Sequence, residues 1–102
     1  VFINSVAGKK GYSNSTAYVA SKFGLRGFSD ALREELRDQN IKVISIFPGA
    51  VNTSFWDNSD IGFDKNEMLN AEVLSESIVS AIELPDSCVV EEMQFRRVKG
   101  DF

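Results

Sequence analysis

The chain has 102 residues, the length of one small domain, and its hydrophobic and charged fractions of 43% and 25% are ordinary for a globular protein. Its net charge of −4 argues against nucleic acid or an anionic membrane surface as a partner, and no apolar run approaches the ~20 residues needed to cross a bilayer. A single cysteine, Cys88, and the lack of histidine argue against a disulfide, a metal site and a histidine-dependent hydrolase, so we expect a reducing, cytoplasmic location.

The first part of the chain reads as a strand, a loop and a long helix. Residues 1–6 form an apolar run typical of a buried strand, and the polar, glycine-containing residues 7–15 predict a loop. Helical periodicity covers residues 16–39, with Ser15 and Thr16 as candidate N-caps and Asn40 as the closing residue. Because the sequence begins inside a strand with no turn before it, we expect it to be the C-terminal part of a larger domain.

The predicted helix carries two stripes of residues at helical spacing. The first is large and apolar, should face the sheet, and continues toward the N-terminus through Tyr18 and Lys22: Leu25, Phe28, Leu32 and Leu36. The second is made of small residues: Ala20, Gly24, Gly27 and Ala31. Each glycine costs about 1 kcal/mol relative to alanine in a helix interior. We therefore expect another backbone to approach the small stripe, within the domain or between subunits of a homo-oligomer, a dimer or a tetramer.

The second strand makes this part of the chain a βαβ unit. Residues 41–47 are nearly continuous in apolar and β-branched residues, which is typical of a strand covered on both faces in a parallel sheet. In such units the site lies beyond the carboxyl ends of the strands, where the connecting helix begins. Ser5, Tyr18 and the turn of Pro48 and Gly49 are therefore expected to converge there.

The rest of the chain adds a loop, a helix and a strand. Residues 50–69 predict a loop rich in aromatic residues, including Phe55, Trp56 and Phe63, which serves either as a substrate wall or as core packing. Asn70 should cap a helix that extends to about Leu84 and turns one apolar face inward: Leu74, Ile78, Ala81 and Ile82. Residues 88–97 are expected to form a last strand.

Tyr18 and Lys22 form a candidate acid/base pair. Residues four apart lie on the same face of a helix, so the ammonium should sit beside the phenol. A nearby positive charge favours the phenolate and lowers a tyrosine pKa from its ordinary value of about 10. Taken alone, the pair also fits a surface contact that stabilises the helix slightly. Ser5 alone would fit a strand-end cap, and Thr53 a helix cap.

The order of these motifs resembles the classical short-chain dehydrogenase/reductase family. The resemblance is strong over residues 1–56 and rests on element order alone over residues 70–98. Its motifs are Ile3-Asn4-Ser5-Val6-Ala7-Gly8, Tyr18-Val19-Ala20-Ser21-Lys22, Leu32-Arg33-Glu34-Glu35-Leu36 and Pro48-Gly49-Ala50-Val51-Asn52-Thr53.

The resemblance implies an oxidoreductase on a Rossmann-type, doubly wound parallel sheet, an α/β fold, that uses NAD or NADP on a small alcohol or carbonyl substrate. Tyr18 would exchange the proton at the substrate oxygen, Lys22 would lower the tyrosine pKa and bind the nicotinamide ribose, and Ser5 would hold the substrate oxygen. The nicotinamide end of the cofactor would also contact the segment after the second strand: Pro48, Gly49, Val51 and Thr53.

The family's glycine-rich phosphate loop, its ribose-selecting residue and its catalytic asparagine all belong upstream of Ser5. Residues 1–102 therefore correspond to the C-terminal portion of one dinucleotide-binding domain whose phosphate-binding half is absent. We expect this chain alone to bind the cofactor weakly and to be inactive. The residues leave open the related epimerase and dehydratase branch, against which the Pro48-to-Thr53 run argues, and a non-catalytic assembly role.

Overall fold

The structure is a computed structural model that describes residues 1–57, 62 and 64–102, so Phe63 of the predicted aromatic loop lies outside the described residues. Strands alternate with helices along the chain: β1 (Phe2–Ile3), α1 (Thr16–Leu36), β2 (Ser45–Pro48), α2 (Ala71–Ile82) and β3 (Glu92–Phe95). Short 3₁₀ turns lie between them: Val6–Gly8, Arg37–Gln39, Ser54–Trp56 and Lys65–Glu67.

The three strands form one parallel sheet with β2 in the centre. Ser45 of β2 lies opposite Phe2 of β1 on one side and Glu92 of β3 on the other. Parallel strands need crossover connections, and the two helices supply them. The predicted α/β class with a parallel sheet is thus confirmed.

The central strand and the residue before it carry the most deeply buried large apolar side chains. Ile44, directly before β2, and Ile46 and Phe47 within β2 are between 0% and 2% exposed, as the continuous apolar run predicts. The predicted start of this strand at residue 41 was wrong, because strand pairing in the sheet begins at Ser45. Ahead of it, Lys42 turns outward, and its ammonium donates at 2.9 Å to carbonyl oxygens of the chain just beyond α2.

The buried face of α1 differs from the predicted apolar stripe. Its two buried residues are Ser29 and Arg33, at 0% and 6% exposure, whereas Phe28 is 59% exposed. Phe28 sits at the margin, where its ring meets Phe2 edge to face at 5.8 Å. The prediction failed at Phe28 because it counted only apolar side chains, while this helix packs on the sheet through polar groups that bond to one another.

Hydrogen bonds satisfy the buried polar residues of α1. The Arg33 guanidinium donates to the backbone oxygens of Val43 and Glu91 at 2.9 Å each. The Ser29 hydroxyl donates to a backbone carbonyl of its own helix and accepts a bond from the Ser45 hydroxyl at 3.1 Å. Through these bonds one helix is tied to β2, to the chain before β2 and to the chain before β3.

The small stripe of α1 has no close neighbour among the described residues. A Cβ atom built on Gly24 or Gly27 would meet nothing within 4 Å, and Ala20 and Ala31 are exposed. The expected close approach of another backbone is therefore not made by the described part of the chain.

The helix α2 begins where its sequence predicts. The Asn70 side chain accepts bonds from the amides of Glu72 and Val73 at 2.9 and 3.1 Å, which confirms the N-cap. The helix ends at Ile82, two residues before the predicted end at Leu84, and Ile82 is exposed rather than inward-facing. Neither described helix is long and apolar enough to span a membrane.

Replacing Arg33 with alanine should strongly destabilise the fold. The change leaves the buried oxygen of Val43 without its side-chain donor, and the Glu91 oxygen keeps only its bond from the Ser45 amide. We therefore expect the free energy of unfolding to fall by about 2–4 kcal/mol. Urea denaturation would measure this loss. Arg37→Ala is the matched control: Arg37 pairs with acids on the surface, and its removal should matter much less. Equal losses in both variants would contradict the role assigned to Arg33.

Candidate active site

Ser5 stands at the carboxyl end of β1. Its hydroxyl oxygen accepts a bond from the Ala7 amide at 3.1 Å and so caps the 3₁₀ turn Val6–Gly8. The local capping role that sequence reasoning left open is therefore real. It does not exclude a second role, because a hydroxyl that accepts one bond still has its hydrogen to donate.

Tyr18 and Lys22 lie in the first turns of α1, as their spacing predicts. The Lys22 ammonium is 5.6 Å from the centroid of the Tyr18 ring. Tyr18 is 51% exposed, so its phenol is accessible to a ligand. Lys22 is half-buried, and among the described residues no carboxylate forms an ion pair with it. The geometry places a free positive charge beside an accessible phenol.

Ser5, Tyr18 and Gly49 line one cleft of about 790 Å³ at the carboxyl ends of β1 and β2. Gly49 directly follows β2, and its amide donates to the Phe95 oxygen at 2.8 Å. Of the residues predicted to converge, Ser5, Tyr18 and Gly49 meet at this cleft, whereas Pro48 does not line it. The lining also includes four aromatic residues: Tyr12, Phe55, Trp56 and Phe102.

The remaining predicted cofactor residues do not line this cleft. Pro48 ends β2 opposite Phe95, and Val51 forms an isolated bridge with Leu69. The Thr53 hydroxyl accepts a bond from the backbone amide two residues later, at 3.3 Å, so it caps the turn Ser54–Trp56. This segment leaves the sheet beside the cleft, but its side chains mainly shape the following loop.

Asn4 holds the two halves of the site together, and sequence reasoning missed it. Its side chain is buried, at 4% exposure; its oxygen accepts from the Ser5 amide at 2.8 Å, and its nitrogen donates to the Lys22 carbonyl at 3.2 Å. A Cβ on Gly8 would lie 2.6 Å from that Asn4 oxygen, so only glycine fits there. The available signal was an amide side chain inside an otherwise apolar run, directly before the candidate serine.

A second missed feature joins the loop before α1 to the end of the described chain. The Tyr12 hydroxyl donates to the Asp101 carboxylate at 2.8 Å, across 89 positions in sequence, and Arg96 and Lys10 lie 3.3 and 3.9 Å from the same carboxylate. The pKa of Tyr12 is raised to about 12, mainly by burial and secondly by the hydrogen bond to Asp101. The pKa of Asp101 is held below its usual range, mainly by the hydrogen bond from Tyr12 and to a lesser extent by the bond from Arg96. No local pattern could have revealed this pair.

Two solved structures share this fold. An alcohol dehydrogenase from the archaeon Thermococcus sibiricus, complexed with 5-hydroxy-NADP, superposes with a TM-score of 0.80 at 26% identity, over 94% of this chain and 40% of that one. The closed form of a serine dehydrogenase complexed with NADP⁺ gives 0.81 at 27% identity, over 98% and 44%. With the parallel sheet and the strand-end site, these likenesses define a Rossmann-type α/β fold of the dehydrogenase class.

The family follows from sequence. A profile described as short chain dehydrogenase matches residues 1–62, and the chain belongs to that family. It is 36% identical to a sepiapterin reductase of Chlorobaculum tepidum over 102 residues, which cover 98% of this chain and 41% of the reductase. The chain thus spans about two fifths of the length of this relative.

Replacing Gly8 with alanine should disturb the site from its centre. The added methyl would collide with the Asn4 amide, which must then release Ser5, Lys22 or both, and we expect a loss of about 1–3 kcal/mol in the free energy of unfolding. Chemical denaturation would measure it. Gly11→Ala is the control, since a Cβ there meets nothing within 4 Å. A Gly8→Ala variant as stable as this control would show that Asn4 is not held as described.

Proposed function

We propose that the complete protein containing these residues is an NAD(P)-dependent oxidoreductase that interconverts an alcohol and a carbonyl on a small molecule. The observation that carries the proposal is the shared cleft of Ser5 and Tyr18, with the Lys22 ammonium beside the phenol. When bound, NAD(P) would supply the hydride to the carbonyl carbon or accept it from the alcohol carbon, and in the reducing direction the Tyr18 phenol would give its proton to the carbonyl oxygen. In the oxidising direction the same groups work in reverse.

Each residue has a distinct task in this proposal. The Ser5 hydroxyl is oriented by the Ala7 amide and donates its hydrogen to the substrate oxygen, where negative charge develops. The Lys22 ammonium stabilises negative charge on Tyr18. Asn4 acts through both residues, because it bonds the backbone of each. These tasks need no metal, and among the described residues no cluster of acidic or cysteine side chains could hold one.

The residues present fit the nicotinamide end of the cofactor. The unpaired Lys22 ammonium can donate to ribose hydroxyls beside Tyr18, and the backbone after β2 opens onto the cleft at Gly49. Gly49 supports a contact of NAD or NADP with the segment after β2, because it lines the cleft; Pro48, Val51 and Thr53 lie beside it, and we propose that they contribute to this contact through their backbone. No glycine-rich strand-to-helix phosphate motif occurs in the sequence, so we propose that residues 1–102 alone bind cofactor weakly and do not turn over.

We also propose that the protein works as a homo-oligomer in the cytoplasm. The oligomer is supported by the outer face of α1. There Gly24 and Gly27 are exposed, a Cβ atom on either would meet no described atom within 4 Å, and the neighbouring Phe23 is 43% exposed. Such a flat face allows a second copy of the helix to approach closely.

The oligomer proposal predicts that Gly27→Glu weakens self-association. Glutamate suits a helix better than glycine, so the fold itself should not suffer, while two copies of the new charge would face each other. Sedimentation velocity of the complete protein should show a smaller species. Ser80→Glu, on the exposed side of α2, is the control and should leave the mass unchanged. An unaltered oligomer in the Gly27→Glu variant would contradict this interface.

Replacing Tyr18 with phenylalanine tests the central assignment. Removal of the hydroxyl takes away the proton donor and little else, so we expect turnover in the complete protein to fall by roughly 10²–10⁴-fold. Binding of NADH or NADPH, followed by fluorescence, should change little. Turnover close to that of the unmodified protein would refute the assignment. One-to-one consumption of cofactor with product separates this chemistry from epimerisation or dehydration, in which the cofactor is regenerated.

A further inference from the structure

Two distant parts of the chain supply aromatic walls to the cleft. On one side Phe55 and Trp56 pack edge to face, with ring centroids 4.9 Å apart, and the Trp56 indole nitrogen donates to the Val51 oxygen at 2.9 Å. On the other side lies the closing segment, which we define as residues 97–102. Its Phe102 ring stacks 3.7 Å from the Arg97 guanidinium carbon. Flat apolar surfaces therefore flank the space beside Tyr18 and Ser5.

The charged groups that line the cleft already have partners. Arg97 lies 3.5 Å from the Glu67 carboxylate, and its guanidinium also donates to the Gly100 oxygen at 2.9 Å. Asp101 is bonded by Tyr12 and paired with Arg96. Arg97 and Asp101, the charged side chains among the described lining residues, are thus both engaged and do not offer a charge to an ionised group of a substrate. Separating such a pair would leave a partly buried charge without compensation, so an ionic substrate is disfavoured.

The closing segment is anchored to the loop that precedes α1. The Tyr12–Asp101 hydrogen bond of 2.8 Å joins them, with Lys10 and Arg96 adding charge to the same carboxylate. Within the segment, the Gly100 amide donates to the Arg97 oxygen at 2.9 Å and forms a tight turn. Gly100 takes a φ of 85°, a conformation that favours glycine. The turn and the anchor together place Phe102 at the cleft.

We propose that residues 97–102 form a specificity-determining wall, which selects an uncharged substrate with a flat apolar group next to its carbonyl or alcohol carbon. In this proposal Phe55, Trp56 and Phe102 contact that group, and Tyr12 and Asp101 are positioning residues that hold the wall. The inference rests on the proposed function, because it names the substrate class of the same cleft.

A panel of ketones tests the substrate class in the complete protein. Acetophenone is flat, apolar and uncharged; acetone is uncharged but small; pyruvate is small and anionic. We expect kcat/KM for acetophenone to exceed that for acetone and for pyruvate by roughly tenfold or more, since a filled apolar pocket discriminates by that order. The reverse reaction, with 1-phenylethanol against 2-propanol, should show the same preference. Equal or better use of acetone or pyruvate would overturn the substrate class while leaving the oxidoreductase assignment intact.

Variants of the closing segment test its role. Phe102→Ala should raise KM for acetophenone by roughly tenfold and change KM for acetone much less, because acetone is too small to fill the space up to the wall. Phe102→Leu keeps an apolar surface and should lose less. Val98→Ala is the matched control, since Val98 belongs to the same segment but is fully exposed and does not line the cleft. A Phe102→Ala variant that behaves like this control would exclude the segment from recognition.

The positioning residues should affect binding more than chemistry. Asp101→Ala releases the anchor and should raise KM for acetophenone several-fold with little change in kcat, whereas Asp101→Asn retains an acceptor for Tyr12 and should restore part of the loss. Equal falls of kcat for acetone and acetophenone in both variants would point to general unfolding instead, and would overturn the positioning role.

A binding measurement keeps the proposal testable if no ketone or alcohol is turned over, which would refute the proposed function itself. Trp56 is the sole tryptophan of these 102 residues, and its fluorescence, isolated by subtracting that of a Trp56→Phe variant, reports occupancy of the cleft. Saturable quenching by acetophenone that weakens in Phe102→Ala supports the wall. Quenching that stays linear with concentration, as expected of random collisions, would overturn it.

Discussion

The site depends on a single buried amide, that of Asn4. Its oxygen fixes the backbone at Ser5, and its nitrogen fixes the carbonyl of Lys22, so one planar group sets the distance between the end of β1 and the start of α1. Both bonds must form because the side chain is buried, and an unmade bond there would leave a desolvated polar group. Catalytic groups tolerate little displacement, since an error of about 1 Å can cost orders of magnitude in rate. A rigid amide link between two elements meets that demand better than apolar contact does.

The orientation of α1 is set by the same kind of bond. Leucine side chains on this helix are only half-buried, and apolar contact alone would allow the helix to rotate or slide, because the hydrophobic effect has no direction. Hydrogen bonds do have direction. Arg33 reaches Val43 and Glu91, and Ser29 meets Ser45, so rotation of the helix would break several buried bonds at once. The orientation of the face of α1 that carries Tyr18 to the cleft, with Lys22 beside it, is therefore a consequence of polar residues about two to four turns further along the helix.

This explains where sequence reasoning succeeded and where it failed. Periodicity and turn chemistry are local, and they correctly predicted the parallel sheet, the Asn70 cap and Asn40 as the closing residue, which takes a left-handed φ of 55°. The position of Phe28 was predicted wrongly because the pattern of apolar residues does not reveal which polar residues are buried with their hydrogen bonds made. The Tyr12–Asp101 bond could not be predicted at all, since it joins positions 89 residues apart and depends on the completed sheet. Motif spacing predicted Ser5 and Tyr18 as site residues, but the bonds by which Asn4 links Ser5 to Lys22 could be recognised only in the folded structure.

The exposure of Tyr18 connects the substrate class to the chemistry. At 51% exposure, water reaches the phenol, and water weakens the influence of the Lys22 charge 5.6 Å from the ring. A flat apolar substrate lying between Trp56 and Phe102 would displace that water and lower the local dielectric response, so the same lysine charge would act more strongly on negative charge at the tyrosine oxygen. A small substrate would leave water in the cleft and an ionic one would carry water into it, so neither would strengthen the effect of the lysine charge. In the proposed function, the aromatic walls and the Tyr18–Lys22 pair would act together, because occupancy of the cleft would strengthen the effect of the lysine charge on the tyrosine oxygen.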